Sequence, residues 1–72
     1  MDKENFLKLG HKIKYLRCKN KLSQLDLSLS TCLTTRTISR LECGKIDPKY
    51  STLLKISDAL GINLTDLLSF NL

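Results

Sequence analysis

Two short helical patterns with clear start signals lie between residues 22 and 44, and they restrict the possible fold more than any other feature. Ser23 can cap the first helix, because its hydroxyl can accept a hydrogen bond from an otherwise unpaired backbone amide. Asp26 follows three positions later and completes a capping box, and Thr34 is a second hydroxyl cap. We therefore expect two short helices separated by a break at residues 31–33.

The second of these helices has two chemically different sides. Ile38 and Leu41 are three positions apart and give it an apolar side. A short helix, a tight turn and a second helix with a hydrogen-bonding outer side is the layout of a helix-turn-helix, here over about residues 23–42. The outer side of the second helix carries hydroxyl and guanidinium groups, on Thr35, Arg36, Thr37, Ser39 and Arg40.

The first of the two helices, expected over residues 23–30, has an unusual distribution of leucines. Leu27 faces the expected core, whereas Leu25 and Leu29 lie on a side that a surface helix would normally make polar. Either the core extends around the helix to these two leucines, or they form an exposed contact strip. We expect partial burial.

The turn between the two helices holds a residue that fits poorly. Its middle position commonly adopts the left-handed conformation, where glycine costs nothing and another residue costs about 1–2 kcal/mol. Cys32 takes this position, so we expect a loss of stability here. Gly44 is expected to end the second helix in the same left-handed conformation.

Residues 3–19 show the pattern of one amphipathic helix. Gly10 interrupts this helix at a cost of about 1 kcal/mol relative to alanine, which indicates close packing against another element. Arg17 lies beside the apolar side and would be drawn partly into the interior, so it needs an anionic partner. The apolar positions, at spacings of three and four, are Phe6, Leu9, Ile13 and Leu16.

Two further helices follow Pro48, which excludes a helix at the residue before it. The fourth is expected from residue 50 or 51 to Leu60, with Gly61 as its end, and Asn63 can cap the fifth. No stretch alternates as a strand would, so the 72 residues are predicted to form one all-α domain. The fifth helix and the tail after it supply Leu64, Leu67, Leu68, Phe70 and Leu72.

The net charge of +5 is unevenly distributed along the chain. Residues 1–49 carry a net charge of +6, and residues 50–72 carry −1. The basic first 49 residues would attract a polyanion, and the apolar last 23 residues would suit another protein. The alternative is that a lysine-rich surface only keeps a small protein soluble.

The three cysteines exclude several classes of protein. Their odd number suits no disulfide framework, and none of their spacings is that of metal ligands. Reduced thiols and the lack of a signal peptide or a membrane span predict a cytoplasmic protein. His11 is the only histidine that could partner a cysteine nucleophile, so we expect no enzyme, no metal and no other cofactor.

Short motifs across about residues 6–69 resemble the Cro/cI-type helix-turn-helix family, also called the XRE family. The resemblance implies a compact five-helix, lambda-repressor-like domain whose third helix enters the major groove of double-stranded DNA. The motifs that carry it are L-S-Q at 22–24, I-S-R at 38–40, E-x-G-K at 42–45, L-L-K-I at 53–56, A-L-G-I at 59–62 and L-x-D-L-L at 64–68.

The resemblance also implies roles for individual residues. Arg17 and Glu42 match a buried ion pair, which would supply the anion that Arg17 needs. The positions that match base-contacting residues are Thr34, Thr35, Arg36, Ser39 and Arg40. The positions expected on the DNA backbone are Gln24, Thr37, Cys43 and Lys45.

Four positions depart from the family's pattern. Cys32 replaces a usual glycine and Ser28 a usual alanine, and Cys43 stands where asparagine is frequent. Lys49 stands where a hydroxyl cap often begins the fourth helix. Cys32 should lower stability, and Cys43 removes one possible hydrogen-bond donor to a phosphate.

We expect a transcriptional regulator of prokaryotic or phage origin, in most cases a repressor, that binds a palindromic operator as a homodimer. Arg36 and Arg40 could each bind a guanine bidentately, although one of them could contact phosphate instead. The alternative function is a protein-interaction module that keeps the fold without DNA binding, with Leu25 and Leu29 as its contact strip. No small-molecule ligand is expected. The expected dimer interface comprises Leu64, Leu68, Phe70 and Leu72.

Overall fold

The computed structural model of the chain describes residues 3–69, and this part of the chain is helical throughout, with no strand. The predicted all-α fold with five helices is confirmed. Phe70 and Leu72, two of the predicted interface residues, lie outside the described residues. The helices are α1 (Lys3–Lys19), α2 (Gln24–Thr31), α3 (Thr35–Glu42), α4 (Tyr50–Leu60) and α5 (Leu64–Leu67).

The predicted caps of α2 and α3 are confirmed. The Ser23 hydroxyl accepts a hydrogen bond from the Asp26 amide at 3.0 Å, and the Ser23 amide donates to Asp26 Oδ2 at 2.9 Å. This reciprocal pair is a capping box, and it fixes where α2 begins. Thr34 caps α3 through its hydroxyl, which accepts from the Thr37 amide at 3.1 Å.

The turn between α2 and α3 is closed by side-chain hydroxyls. Cys32 is left-handed as predicted, with φ of 60°. The buried Thr31 hydroxyl donates to the Leu27 carbonyl at 2.7 Å and accepts from the Leu33 amide at 3.3 Å. Helix α2 extends to Thr31, one residue beyond the predicted end. The Ser28 hydroxyl donates a hydrogen bond to the Leu33 carbonyl. The serine that replaces the usual alanine therefore has its hydroxyl proton hydrogen-bonded within the turn.

The predicted partial burial of Leu25 and Leu29 is wrong. Leu25 is 58% exposed and Leu29 is 72% exposed, whereas Leu27 between them is fully buried. Residues two positions apart on a helix are separated by about 200° around its axis. Leu25 and Leu29 therefore face away from the core when Leu27 faces it. The core reaches α2 through Leu27 alone among its leucines and does not extend around the helix.

The hydrophobic core lies between α1, which packs against α3, α4 and α5, and α2, which packs against α3 and α4. Each helix contributes at least one side chain that is almost completely removed from water. These anchoring residues are Leu9, Ile13, Leu27, Ile38, Ile56 and Leu67.

Two glycines allow α1 to lie directly against the end of α3. A Cβ atom on Gly10 would be 2.6 Å from the carbonyl oxygen of Glu42, so no side chain fits there. The close packing predicted for Gly10 is therefore confirmed. Gly44 has φ of 68° and ends α3, and a Cβ on it would lie 2.9 Å from the Cα of Leu7. The first half of α1 is thus held against the carboxyl end of α3.

The last two helices complete the core from the other side. Lys49 stands at the N-cap of α4 and makes no capping hydrogen bond with its side chain, whereas Asn63 caps α5 by accepting from the Asp66 amide at 3.1 Å. Leu64 and Leu68 are half-buried and pack against the core. None of the helices within residues 3–69 has the length and apolar character that crossing a membrane would require.

Candidate nucleic-acid interface

The outer side of α3 is a hydrogen-bonding surface on a firmly anchored helix. Ile38 and Leu41 are buried beneath it. Thr35, Arg36 and Arg40 are exposed, and Ser39 is half-buried. The structure therefore brings these four predicted base-contacting residues onto one accessible helix.

Thr34 and Thr37 lie at the start of α3 and are bonded to each other. Besides accepting from the Thr37 amide, the Thr34 hydroxyl donates its proton to Thr37 Oγ1 at 3.0 Å. A hydroxyl has a single proton to donate. Thr34 therefore uses its donor within the cap, while Thr37 keeps its own hydroxyl proton for another acceptor.

A buried ion pair fixes the opposite end of α3. Arg17 Nε donates to Glu42 Oε2 at 2.7 Å, and Arg17 Nη2 donates to Glu42 Oε1 at 3.0 Å. The third direction of the guanidinium is satisfied by the Leu22 carbonyl at 2.8 Å. The hydrogen bond to Glu42 raises the pKa of Arg17 above its usual value. This is the pair that the resemblance implied, and it joins α1 to α3 and to the start of α2.

Gln24 links α2 to the same carboxylate. Its Nε2 donates to Glu42 Oε1 at 3.2 Å, and the side chain is half-buried. The sequence indicated only a contact to the DNA backbone for this residue. An amide nitrogen carries two protons, so one remains available to an outside acceptor while the other orients the side chain.

The residues after α3 border an open cleft that sequence reasoning did not predict. Cys43 and Lys45 are exposed at the end of α3, as accessible as a backbone contact requires. Lys3 comes from the start of α1 and had no predicted role. Its position in the first helical turn, where acidic residues are favoured, is the one signal that could have singled it out. The cleft is lined by Lys3, Phe6, Leu7, Arg40, Cys43, Gly44 and Lys45.

The described residues contain no cluster of three or more side chains that could bind a metal ion. Cys18, Cys32 and Cys43 are free and exposed. The chemistry of the surface around α3 is that of hydrogen-bond donors and fixed positive charges.

Comparison with known proteins agrees with this geometry. A family model described as helix-turn-helix matches residues 13–67. An uncharacterized HTH-type transcriptional regulator of Methanocaldococcus jannaschii is 32% identical over 59 residues, which cover 82% of this chain and 89% of that protein.

Solved structures show the same fold. The restriction-modification controller protein C.AhdI from Aeromonas hydrophila has a TM-score of 0.87 and 26% identity, over 89% of this chain and 97% of that one. The clp gene regulator ClgR from Corynebacterium glutamicum has a TM-score of 0.85 over 89% of this chain and 68% of that one. At 22% identity, ClgR supports the fold alone. The chain belongs to the Cro/cI-type, or XRE, helix-turn-helix family of transcriptional regulators.

Proposed function

We propose that this protein is a sequence-specific regulator of transcription that inserts α3 into the major groove of double-stranded DNA. The observation that carries the proposal is the exposed guanidinium and hydroxyl face of α3, backed by the buried Ile38 and Leu41. In this proposal the 72 residues act as one helix-turn-helix domain that works by binding, without catalysis or a cofactor. Its place of action is the cytoplasm of a prokaryotic cell, where exposed thiols stay reduced.

Base reading falls to the outer residues of α3. Arg36 and Arg40 are four residues apart on an eight-residue helix, so both project to the same side. Each can donate two hydrogen bonds to the O6 and N7 atoms of a guanine. Thr35 and Ser39 have short side chains that reach a thymine methyl group or a base edge only when the helix sits deeply.

Contacts to the DNA backbone would fix the orientation of α3. In this proposal Gln24, Thr37 and Lys45 donate hydrogen bonds to phosphates, and Cys43 has only a weak thiol donor to offer. Thr34 caps α3 and stands where a base could be contacted through its methyl group. Such contacts make binding sensitive to salt, because each neutralised phosphate releases counterions.

We further propose that the protein binds a palindromic operator as a homodimer and acts as a repressor. One domain covers only part of a helical turn of DNA, and paired recognition helices contact half-sites about 34–36 Å apart. An apolar carboxyl-terminal segment suits a two-fold interface. A small dimer that occupies a promoter blocks access to it without any added activation surface. The proposed interface residues are Leu64, Leu68, Phe70 and Leu72.

A binding selection tests the proposal directly. The protein is titrated against a pool of random duplexes at several salt concentrations, and the bound fraction is amplified and sequenced. We expect salt-sensitive binding and enrichment of a palindrome whose half-sites are one helical turn apart. A folded protein that binds no duplex at about 50 mM salt, where phosphate contacts are strong, would contradict the proposal.

The exposed Leu25 and Leu29 support a second candidate, a module that binds another protein through α2. This candidate requires no DNA binding. Failure in the selection experiment, together with retention of a partner protein that Leu29→Asp abolishes, would favour it over the DNA-binding proposal.

A further inference from the structure

Three cationic side chains converge on the cleft between the start of α1 and the end of α3. Lys3, Arg40 and Lys45 line it and are all exposed. The cleft measures about 630 Å³, and none of the acidic residues within positions 3–69 lines it. Its positive charge suits a phosphate group, and its volume leaves ample room for the adjoining sugar.

Glu4, the acidic residue that follows Lys3, is engaged elsewhere. Glu4 Oε1 lies 3.6 Å from Lys8 Nζ, one helical turn further along α1. The charge of Lys3 is therefore not paired with Glu4. The first turn of a helix also disfavours a positive charge, because the unpaired backbone amides there carry partial positive charge. The stability of α1 does not explain a lysine at this position, whereas an anion bound in front of it would.

The geometry of the cleft is set by the backbone rather than by flexible side chains. The close approaches at Gly10 and Gly44 hold the first half of α1 against the end of α3. Lys3 and Lys45 therefore come from two segments whose spacing is fixed. The apolar surface between them is formed by Phe6 and Leu7, and Leu7 is 40% exposed.

We propose that this cleft binds one backbone phosphate of the DNA, with Lys3 and Lys45 as its cations and with Phe6 and Leu7 against the adjoining deoxyribose. This proposal rests on the proposed function and adds Lys3 as a residue that positions α3. Arg40 forms the wall of the cleft next to the outer side of α3. The amide groups at the start of α1 add partial positive charge to the same site.

The test compares Lys3→Ala with Lys55→Ala, which removes the same charge from an exposed position on α4. Affinity is measured over a salt series for both the selected operator and a random duplex. For Lys3→Ala we expect a several-fold loss on both DNAs and a salt slope lower by about 0.9, the value for one phosphate contact. Lys3→Arg should retain wild-type binding, because it keeps the charge, and Lys55→Ala should leave the slope unchanged.

Stability is the internal control. Lys3→Ala should melt at or above the wild-type temperature, because it removes a positive charge from the amino end of a helix. The folded variant therefore reports on DNA contact alone.

Several outcomes would overturn the proposal. If the wild-type protein binds DNA and the salt slopes of Lys3→Ala and Lys55→Ala are equal, Lys3 is not part of the interface. The proposed function would remain in place. A larger loss on the operator than on random DNA would assign Lys3 to base reading. Binding of inorganic phosphate that depends on Lys3, with unchanged DNA affinity, would make the cleft a site for a small anion. A wild-type protein that binds no DNA would overturn the proposed function itself.

Discussion

The two helices of the helix-turn-helix differ in a way that their sequences conceal. Helices α2 and α3 each span eight residues and each begins with a hydroxyl cap. The exposed side of α3 is polar and charged, whereas the exposed side of α2 presents Leu25 and Leu29. The comparison teaches that an apolar residue on a short helix does not by itself indicate burial. Contact with a neighbouring helix decides it.

The largest expected effect comes from the carboxylate that joins the two helices. Glu42→Ala leaves Arg17 buried without its ionic partner, which typically costs about 3–5 kcal/mol. A domain of this size has only about 4–10 kcal/mol of stability, so we expect the variant to be largely unfolded at 37 °C. Thermal melting followed by circular dichroism measures this. A melting temperature lowered by only one or two degrees would show that the pair contributes little.

A matched pair of leucines on α2 tests the burial contrast. Leu27→Ala creates a cavity beneath the turn and should lower the free energy of unfolding by about 2–5 kcal/mol. Leu29→Ala changes an exposed side chain and should stay within about 0.5 kcal/mol of wild type. Chemical denaturation gives both values. If Leu29→Ala were as costly as Leu27→Ala, a further surface would have to cover the outer side of α2.

The outer side of α3 should affect binding and leave stability unchanged. Arg40→Ala should relax the preference at one base position, at a cost of about 1–3 kcal/mol. Lys45→Ala should weaken binding to all DNA sequences alike and reduce the salt slope of binding by about one unit. Competition binding against single-base operator variants separates these two results. Equal weakening of specific and random DNA by Arg40→Ala would assign this arginine to phosphate instead.

The turn between the helices offers a gain in stability. Cys32 is left-handed, so Cys32→Gly should raise the free energy of unfolding by about 1 kcal/mol. Cys18→Gly is the control, because the same change at a helical position near the end of α1 should lower stability by a few tenths of a kcal/mol. Urea denaturation of both variants should give shifts of opposite sign. A loss of stability in Cys32→Gly would mean that the cysteine side chain makes a compensating contact.

The smallest expected effect is a pH dependence of stability, which the cap of α2 should show and the cap of α3 should not. Hydrogen bonds from the Ser23 amide and hydroxyl lower the pKa of Asp26 below its usual 3.8. Because the folded-state pKa is the lower one, the capping box stabilises the protein above pH 3.8 and loses this contribution as the pH falls through the lowered pKa. The cap of α3, made by Thr34, has no titrating group.

The matched variant is Asp26→Asn, which retains a capping side chain that does not titrate. Its melting temperature is compared with wild type between about pH 5 and pH 2, the range in which a paired carboxylate titrates. The advantage of the wild type should shrink towards the acidic end. A constant difference would show that the carboxylate charge does not contribute to the cap.

Local signals were sufficient to predict most of the fold. The caps at Ser23, Thr34 and Asn63 act within one helical turn, so residue types and spacings reveal them. The left-handed conformations of Cys32 and Gly44 were equally predictable, because the turn of a helix-turn-helix and the end of its second helix commonly require them. Lys21 is also left-handed, with φ of 58°, and nothing in its side chain indicates it. It follows from the hydrogen bond between the Leu22 amide and the Arg17 carbonyl, at 2.9 Å.

The candidate site was predictable only where it lies on a single helix. The polar side of α3 follows from helical periodicity, whereas the partner of Arg17 came from the family resemblance rather than from spacing. Lys3 and Lys45 are 42 positions apart in the sequence. Their shared cleft exists because Gly10 lets α1 approach α3, and that approach is a property of the tertiary structure.

The separation of the two sides of α3 has a consequence for how such a protein can change over time. The side chains that hold the helix, among them Ile38 and Leu41, share no atoms with the side that faces outward. Under the proposed function, target preference can therefore drift by substitutions at positions 35, 36, 39 and 40 while folding is maintained. By the same logic, the outer residues of a related regulator could be transplanted onto this scaffold to redirect it to a new operator.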